Sequence, residues 1–251
     1  MFTSGVSVRI PLSCQFGAGS PDDFRRQILE TGELADLNYK IADEEQNYYS
    51  VQKKFWAIFA PFYNVVVLPL SRTRDKVVNF TEAKAGSKIL DVATGTGKQA
   101  FAFARRGYDV VGVDLSEAML KIATKKNKYG NLKFEVADAT NLPFEPNSFD
   151  AACVSFALHE MPFTVREKVL REMVRVTKPE GTIVIIDFAL PKNRIGRFFI
   201  YQLVKLFEGE HYVKFMKSDL KVSIEQAGIS INGELRILFG CGRIIKGITT
   251  A

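Results

Sequence analysis

The sequence predicts an α/β fold on a doubly wound, mostly parallel sheet, and three observations carry that prediction. The run KILDVATGTGKQAFAFARRGYDVVGVDLS, Lys88 to Ser116, reads strand, glycine turn, helix, strand, which is one right-handed βαβ unit. Short apolar runs then keep alternating with amphipathic segments as far as Asp187. An acid stands at the end of three of those runs in turn: Asp91, Asp114 and Asp138.

The 251 residues fit one domain, or one domain with a lid. Residues 1–20 are rich in Ser and Gly, carry one Arg and no acid, and read as a flexible tail rather than a secretory signal. Residues 21–80 read as an N-terminal helical lid, polar from Pro21 to Tyr49 and apolar from Phe55. Residues 81–251 then form the main domain. The apolar stretch is broken by Pro61, Asn64 and Pro69, so it is no membrane span.

Within the main domain, Lys88–Val92 is the first strand, Gln99–Arg106 a helix closed by Gly107, and Tyr108–Val113 the second strand. Ser116 suits the N-cap of a helix over Glu117–Lys126, whose lysines at 121, 125 and 126, with Lys128, make a solvated face. Strands follow at Leu132–Ala137 and Phe149–Ser155. Thr164–Glu167 has the pattern of a capping box opening a helix to about Thr177. Pro179–Gly181 reads as a turn into a fifth strand, Thr182–Asp187. A helix with a long apolar face is predicted over Lys192–Glu210. A last helix, capped by Ser218, ends at Gly228, and two β-patterned runs, Ile229–Leu238 and Arg243–Thr249, complete the chain.

The glycine turn narrows the ligand. A phosphate-binding P-loop would need Gly where Val92 stands and Ser or Thr where Gln99 stands. Gly95-x-Gly97-x-x-Ala100, with Asp114 nineteen residues beyond Gly95, fits a dinucleotide fingerprint in which the acid accepts both ribose hydroxyls. Asp91 argues against a pyrophosphate, because a carboxylate there repels phosphate and suits an ammonium group. S-adenosylmethionine (SAM) offers ammonium, carboxylate, ribose and adenine with no phosphate. Ligands in such sheets sit beyond the strand ends at the switch point, which the first and fourth strands flank, so Ser155 and the residues up to Glu160 should face the ligand.

The runs LDVATGTG, VVGVDLSEAML, VADATNLPFEPNSFDAACVSFALHEM and LREMVRVTKPEGTIVIIDFALP resemble the class I SAM-dependent methyltransferases. Within them the chain is most similar to the ubiquinone/menaquinone-biosynthesis C-methyltransferases, from about Phe55 onward. The resemblance implies a seven-stranded Rossmann-like sheet with a C-terminal antiparallel hairpin, SAM as cofactor, and methyl transfer to a small or lipid-like acceptor such as a quinone precursor. It implies that Ala93, Thr94, Gly95, Gly97 and Asp91 form the cofactor turn. Asp114 with Leu115 would serve the ribose and Asp138 with the Ala139 backbone the adenine, while Ser155 borders the site and Tyr63 of FAPFYN lies near SAM. Ala93 stands where many class I enzymes have Gly. His159-Glu160 stands where the quinone family typically has Arg-Asn. His159 is the candidate base, since histidine's unperturbed pKa lies near neutrality, and its blander alternative is a supporting or capping residue. Phospholipid or other small-molecule N-methylation, and a non-catalytic SAM-binding protein, stay open as alternatives.

Composition limits the partners. Hydrophobic residues make 47% and charged residues 25%, as in a soluble globular protein, with a net charge of +6. No basic stripe interleaved with aromatics marks a nucleic-acid groove. The surplus charge leaves a peripheral membrane contact open, and a homodimer is left open as well. Cys14, Cys153 and Cys241 are too scattered for a disulfide framework or a zinc site. No metal is expected, and the reducing cytoplasm is the default compartment.

Overall fold

The computed structural model describes residues 33–66, 71–189, 191, 215 and 218–250. The predicted tail, the helix over Lys192–Glu210 and His211 lie outside the described residues. The chain divides into two compact units, Met1–Asp43 and Glu44–Ala251. Of the first, residues 33–43 are described and are helical.

In the second unit a helix, α1 (Glu33–Val66), continues from residue 44, followed by α2 (Ser71–Thr81). Then β1 (Lys88–Val92), α3 (Lys98–Arg105), β2 (Asp109–Asp114), α4 (Glu117–Lys126), β3 (Leu132–Val136) and β4 (Phe149–Ser155) alternate as predicted. A 3₁₀ turn over Leu158–Glu160 leads to α5 (Phe163–Val176) and β5 (Thr177–Phe188). The chain closes with α6 (Leu220–Gln226), β6 (Ile229–Ile237) and β7 (Gly242–Thr249). The seven strands run in the order β3-β2-β1-β4-β5-β7-β6. The first five are parallel, and β7 pairs antiparallel with both β5 and β6. No helix among the described residues is long and apolar enough to cross a membrane.

Parallel strands are covered on both faces, so they read as continuous apolar runs whose side chains alternate between two cores. Leu90, Val92, Ala152, Val154, Ile183 and Ile185 join α5 and α6 on one face. Ile89, Ala151, Cys153, Val184 and Ile186 join α2 and α3 on the other. Cys153 is therefore a buried core residue, as its apolar setting predicts.

Three local expectations need correction. The capping box at Thr164 is absent: the N-cap falls two residues earlier, at Pro162, with no side-chain cap, because the chain already enters the helix at Phe163 and places Thr164 inside its first turn. The last helix is capped by Asp219, whose carboxylate accepts from Lys221 N at 3.1 Å, and Ser218 instead donates its hydroxyl to Phe215 O. The Pro179–Gly181 turn is a kink inside β5, where the pairing with β4 slips between Phe149–Thr177 and Ala151–Thr182 and Glu180 takes φ 59°.

Candidate functional site

The site forms where the sheet order reverses, beyond the carboxyl ends of β1 and β4. The turn after β1 is held by backbone bonds from Thr94 N to Val113 O (2.9 Å) and from Gly97 N to Thr94 O (3.0 Å). Gly97 sits at φ 77°, and a Cβ there would come within 2.6 Å of the Phe134 ring, so the turn needs glycine for shape and for clearance. Ala93 also has positive φ, at 52°. That explains the glycine common at this place: an L residue here is strained by about 1 kcal/mol. Phe156, at the end of β4, shares the conformation at φ 51°.

A cavity of about 850 Å³, counting its open mouth, lies over this turn. Of the predicted residues, Ala93, Gly95, Asp114, Leu115, Asp138, Ala139 and Ser155 line it. Asp114 Oδ2 accepts from Gly95 N and Oδ1 from Ser116 N, both at 2.8 Å, so the carboxylate organises the turn while keeping lone pairs for a ligand. Burial raises its pKa, opposed by these two N–H groups. Asp138 Oδ1 accepts from the backbone and the hydroxyl of Thr140, both at 2.8 Å, and from Tyr49 OH at 3.3 Å.

Asp91 and Thr94 line a second cavity of about 490 Å³, which shares Ala93, Ser155 and Phe156 with the first and is also bordered by Thr73, Arg74 and Lys98. Asp91 is buried, accepts from Thr94 Oγ1 at 2.5 Å, and has its Oδ1 unpartnered. Burial pushes its carboxyl up to about 7, with the Thr94 hydroxyl opposing.

One helix face was not foreseen. Tyr48, Tyr49, Gln52 and Trp56 of α1 wall the first cavity opposite the strand ends. The stripe Tyr48, Gln52, Trp56 at i, i+4, i+8 carried the signal, but the stretch reads as a generic polar helix unless that spacing is followed. Burial, with Glu160 next, holds the Tyr48 phenol well above its ordinary pKa, so it stays neutral. The Tyr63 side chain lies outside the described residues.

His159 is brought close to the site without lining it. The residue is 4% exposed. Its Nδ1 donates to Asp187 Oδ1 at 2.7 Å, its backbone N donates to Asp187 Oδ2 at 3.2 Å, and its ring meets Phe188 edge-on. The cavity wall at this point is its neighbour Glu160. The 3₁₀ turn that carries both is held by buried Arg166, which donates to Leu158 O and Met161 O and stacks on Phe215.

Comparison with known proteins agrees with this geometry. Residues 89–181 match a family model described as a methyltransferase domain. The chain is 44% identical over 137 residues to the demethylmenaquinone methyltransferase of Paenarthrobacter aurescens, covering 53% of each chain. It is 34% identical over 138 residues to the ubiquinone/menaquinone biosynthesis C-methyltransferase UbiE of Idiomarina loihiensis, covering 51% of this chain and 54% of that one. The chain thus spans about half the length of the curated relatives it matches. The Haemonchus contortus phosphoethanolamine N-methyltransferase 2, solved in complex with S-adenosyl-L-methionine, superposes with a TM-score of 0.57 at 18% identity, over 72% of this chain and 53% of that one, a likeness of fold. The sheet order and strand-end acids of this chain agree with the match of residues 89–181 to the methyltransferase-domain model.

Proposed function

We propose that the chain binds SAM across the two adjoining cavities and transfers its methyl group to a ring carbon of a reduced, quinone-like acceptor. The observation that carries the SAM reading is the division of charge along the site. Asp138 and Asp114 border the first cavity, suited to an adenine amine and ribose hydroxyls. The second cavity sets Asp91 beside Arg74 and Lys98, a pairing suited to the ammonium and carboxylate of an amino acid. The bound sulfonium supplies an activated methyl group and leaves as a neutral thioether. The protein's part is to align the acceptor carbon with it and keep water out. The apolar and aromatic wall of Trp56, Tyr48, Val165 and Val169 fits a flat ring acceptor, and the relatives named above support a quinone precursor.

The same aromatic wall favours a second reading, an amine acceptor whose cationic product would rest on Tyr48, Tyr49 and Trp56. Calorimetry is expected to show SAM or S-adenosylhomocysteine binding in the micromolar range, about 8 kcal/mol, and no comparable NADH binding. Tight NADH binding without SAM binding would overturn the cofactor. Incubation with a naphthoquinol lacking its ring methyl, and separately with phosphatidylethanolamine, followed by mass spectrometry, decides the acceptor.

Asp91 adds a pH signature. Its folded pKa of about 7 lies above the ordinary 3.8, so the folded chain holds a proton that the unfolded chain releases. Its contribution to stability is therefore full below about pH 4, falls as pH rises to about 7, and is level above. The ammonium of SAM favours the ionised carboxylate, so SAM binding should release a proton in that window. Titrations at pH 6 in two buffers of different ionisation enthalpy should show that release in the wild type and lose it in Asp91→Asn. Equal proton release in both proteins would place the ammonium elsewhere.

A further inference from the structure

The relation of His159, Glu160 and Asp187 goes beyond the binding of cofactor and acceptor, although it rests on the aromatic-acceptor reading just given. We infer that Glu160 is the catalytic residue that takes the acceptor's hydroxyl proton, and that His159, pinned by Asp187, is the positioning residue that sets its carboxylate. Three observations support this assignment. Glu160, not His159, lines the cavity, beside Ala157, Met161 and Gln52. Its two oxygens are addressed from opposite sides: Oε2 accepts from Gln52 Nε2 at 3.1 Å, and Oε1 lies 3.8 Å from His159 Nε2, beyond a hydrogen bond but within ion-pair reach. The His159 ring is held from turning into the cavity, because its Nδ1 is committed to a fully buried Asp187 and the ring packs edge-to-face with Phe188 and Phe215.

Glu160 takes the proton of the ring hydroxyl, and the O–H electron pair stays on oxygen and reaches the adjacent ring carbon. That carbon bonds the methyl as the carbon–sulfur bond breaks, its pair going to sulfur. The ring carbon then loses its own hydrogen as a proton to water, its pair restores the aromatic ring, and the proton on Glu160 returns to the ring oxygen. One proton leaves per methyl transferred.

The charged and titratable groups around Glu160 come from several elements. Tyr48 faces it from α1 and His159 from its own turn. Asp114 and Asp138 lie on the strand ends beyond Tyr48. Asp187 stands behind His159, with Arg166 and Arg243 drawn to Asp187.

The test uses the full chain and the variants Glu160→Gln, Glu160→Leu and His159→Asn. With a demethylated naphthoquinol kept reduced, kcat of Glu160→Gln should fall about 10²–10⁴-fold with SAM affinity within about threefold of wild type, which shows the protein folded. The acidic limb of the pH–rate profile should vanish in Glu160→Gln and persist in His159→Asn, whose amide can still donate to Asp187. An equilibrium readout free of turnover compares 1-naphthol with 1-methoxynaphthalene, each bound in the presence of S-adenosylhomocysteine. Wild type should prefer the hydroxyl form about 10-fold or more, and Glu160→Leu should lose the preference. A limb lost in His159→Asn and kept in Glu160→Gln, or an unchanged naphthol preference in Glu160→Leu, would overturn the assignment while leaving the aromatic-acceptor reading intact. A wild type that methylates only amines would overturn both.

Discussion

Asp114→Ala should weaken SAM binding about 10²-fold, the larger part of 3 kcal/mol, without unfolding the domain. Two losses combine. The ligand's ribose hydroxyls lose a carboxylate acceptor, and charge-assisted bonds of this kind are each worth about 1.5–3 kcal/mol. The turn also loses its fastener, because the same carboxylate accepts from Gly95 N and Ser116 N across the gap between β1 and β2. The domain should survive because Thr94 N to Val113 O and Gly97 N to Thr94 O still close the turn. Asp114→Asn, which keeps one acceptor oxygen, should lie between the two. Calorimetric titration of SAM, with a thermal melt of the ligand-free protein as control, reads both effects. A folded Asp114→Ala protein with wild-type SAM affinity would remove Asp114 from the ligand site.

Arg166→Ala should cost about 3–5 kcal/mol of stability, more than an ordinary surface arginine by an order of magnitude. The side chain is 2% exposed. Its Nε donates to Leu158 O at 3.3 Å, Nη2 to Met161 O at 3.2 Å and Nη1 to Ser218 Oγ at 3.2 Å, with the guanidinium 4.7 Å from the Phe215 ring centre. Burial lowers its pKa to about 10, with Asp187 opposing, so it stays charged near neutrality. Removing it takes the guanidinium donor from Met161 O and one of the two donors from Leu158 O, which keeps Met161 N at 3.2 Å, and opens a space under Phe215. Arg166→Met refills much of that volume, so the difference between the two variants in urea midpoints isolates the cavity, and the loss that Arg166→Met retains reports the missing hydrogen bonds. Because the carbonyls belong to the turn that bears His159 and Glu160, Arg166→Met should also lower turnover while SAM affinity holds. Wild-type midpoints in both variants would show that water replaces the guanidinium.

The strands were legible because burial on both faces demands unbroken apolar runs, and KILDV and FDAACVS have no other reading of that length. The floor of the site was legible for the same reason: acids at strand ends and glycines in a tight turn sit where the topology forces them. Helix starts were misread at Thr164, because the helix begins after Pro162 with no side-chain cap, and at Ser218, because the adjacent Asp219 takes the cap. The wall of the site was hidden because Tyr48, Gln52 and Trp56 approach from a helix far away in sequence, and local pattern carries no information about which face a distant helix will cover. His159 was visible as a titratable group past β4. Which of two adjacent side chains turns toward the cavity depends on Asp187, twenty-eight residues downstream.

The sheet order has a consequence for how this chain acquires its structure. β7 follows β6 in sequence yet lies between β5 and β6, so β5 carries an unpaired edge until the chain has passed Thr249. During synthesis the five parallel strands can assemble early from contacts between neighbours along the chain, but their last member presents a row of open amides and carbonyls through the making of some sixty further residues. That interval is the stage at which pairing with another nascent copy competes with completion. The arrival of the β6–β7 hairpin, rather than formation of the glycine turn after β1, is then the event that completes the sheet within one chain.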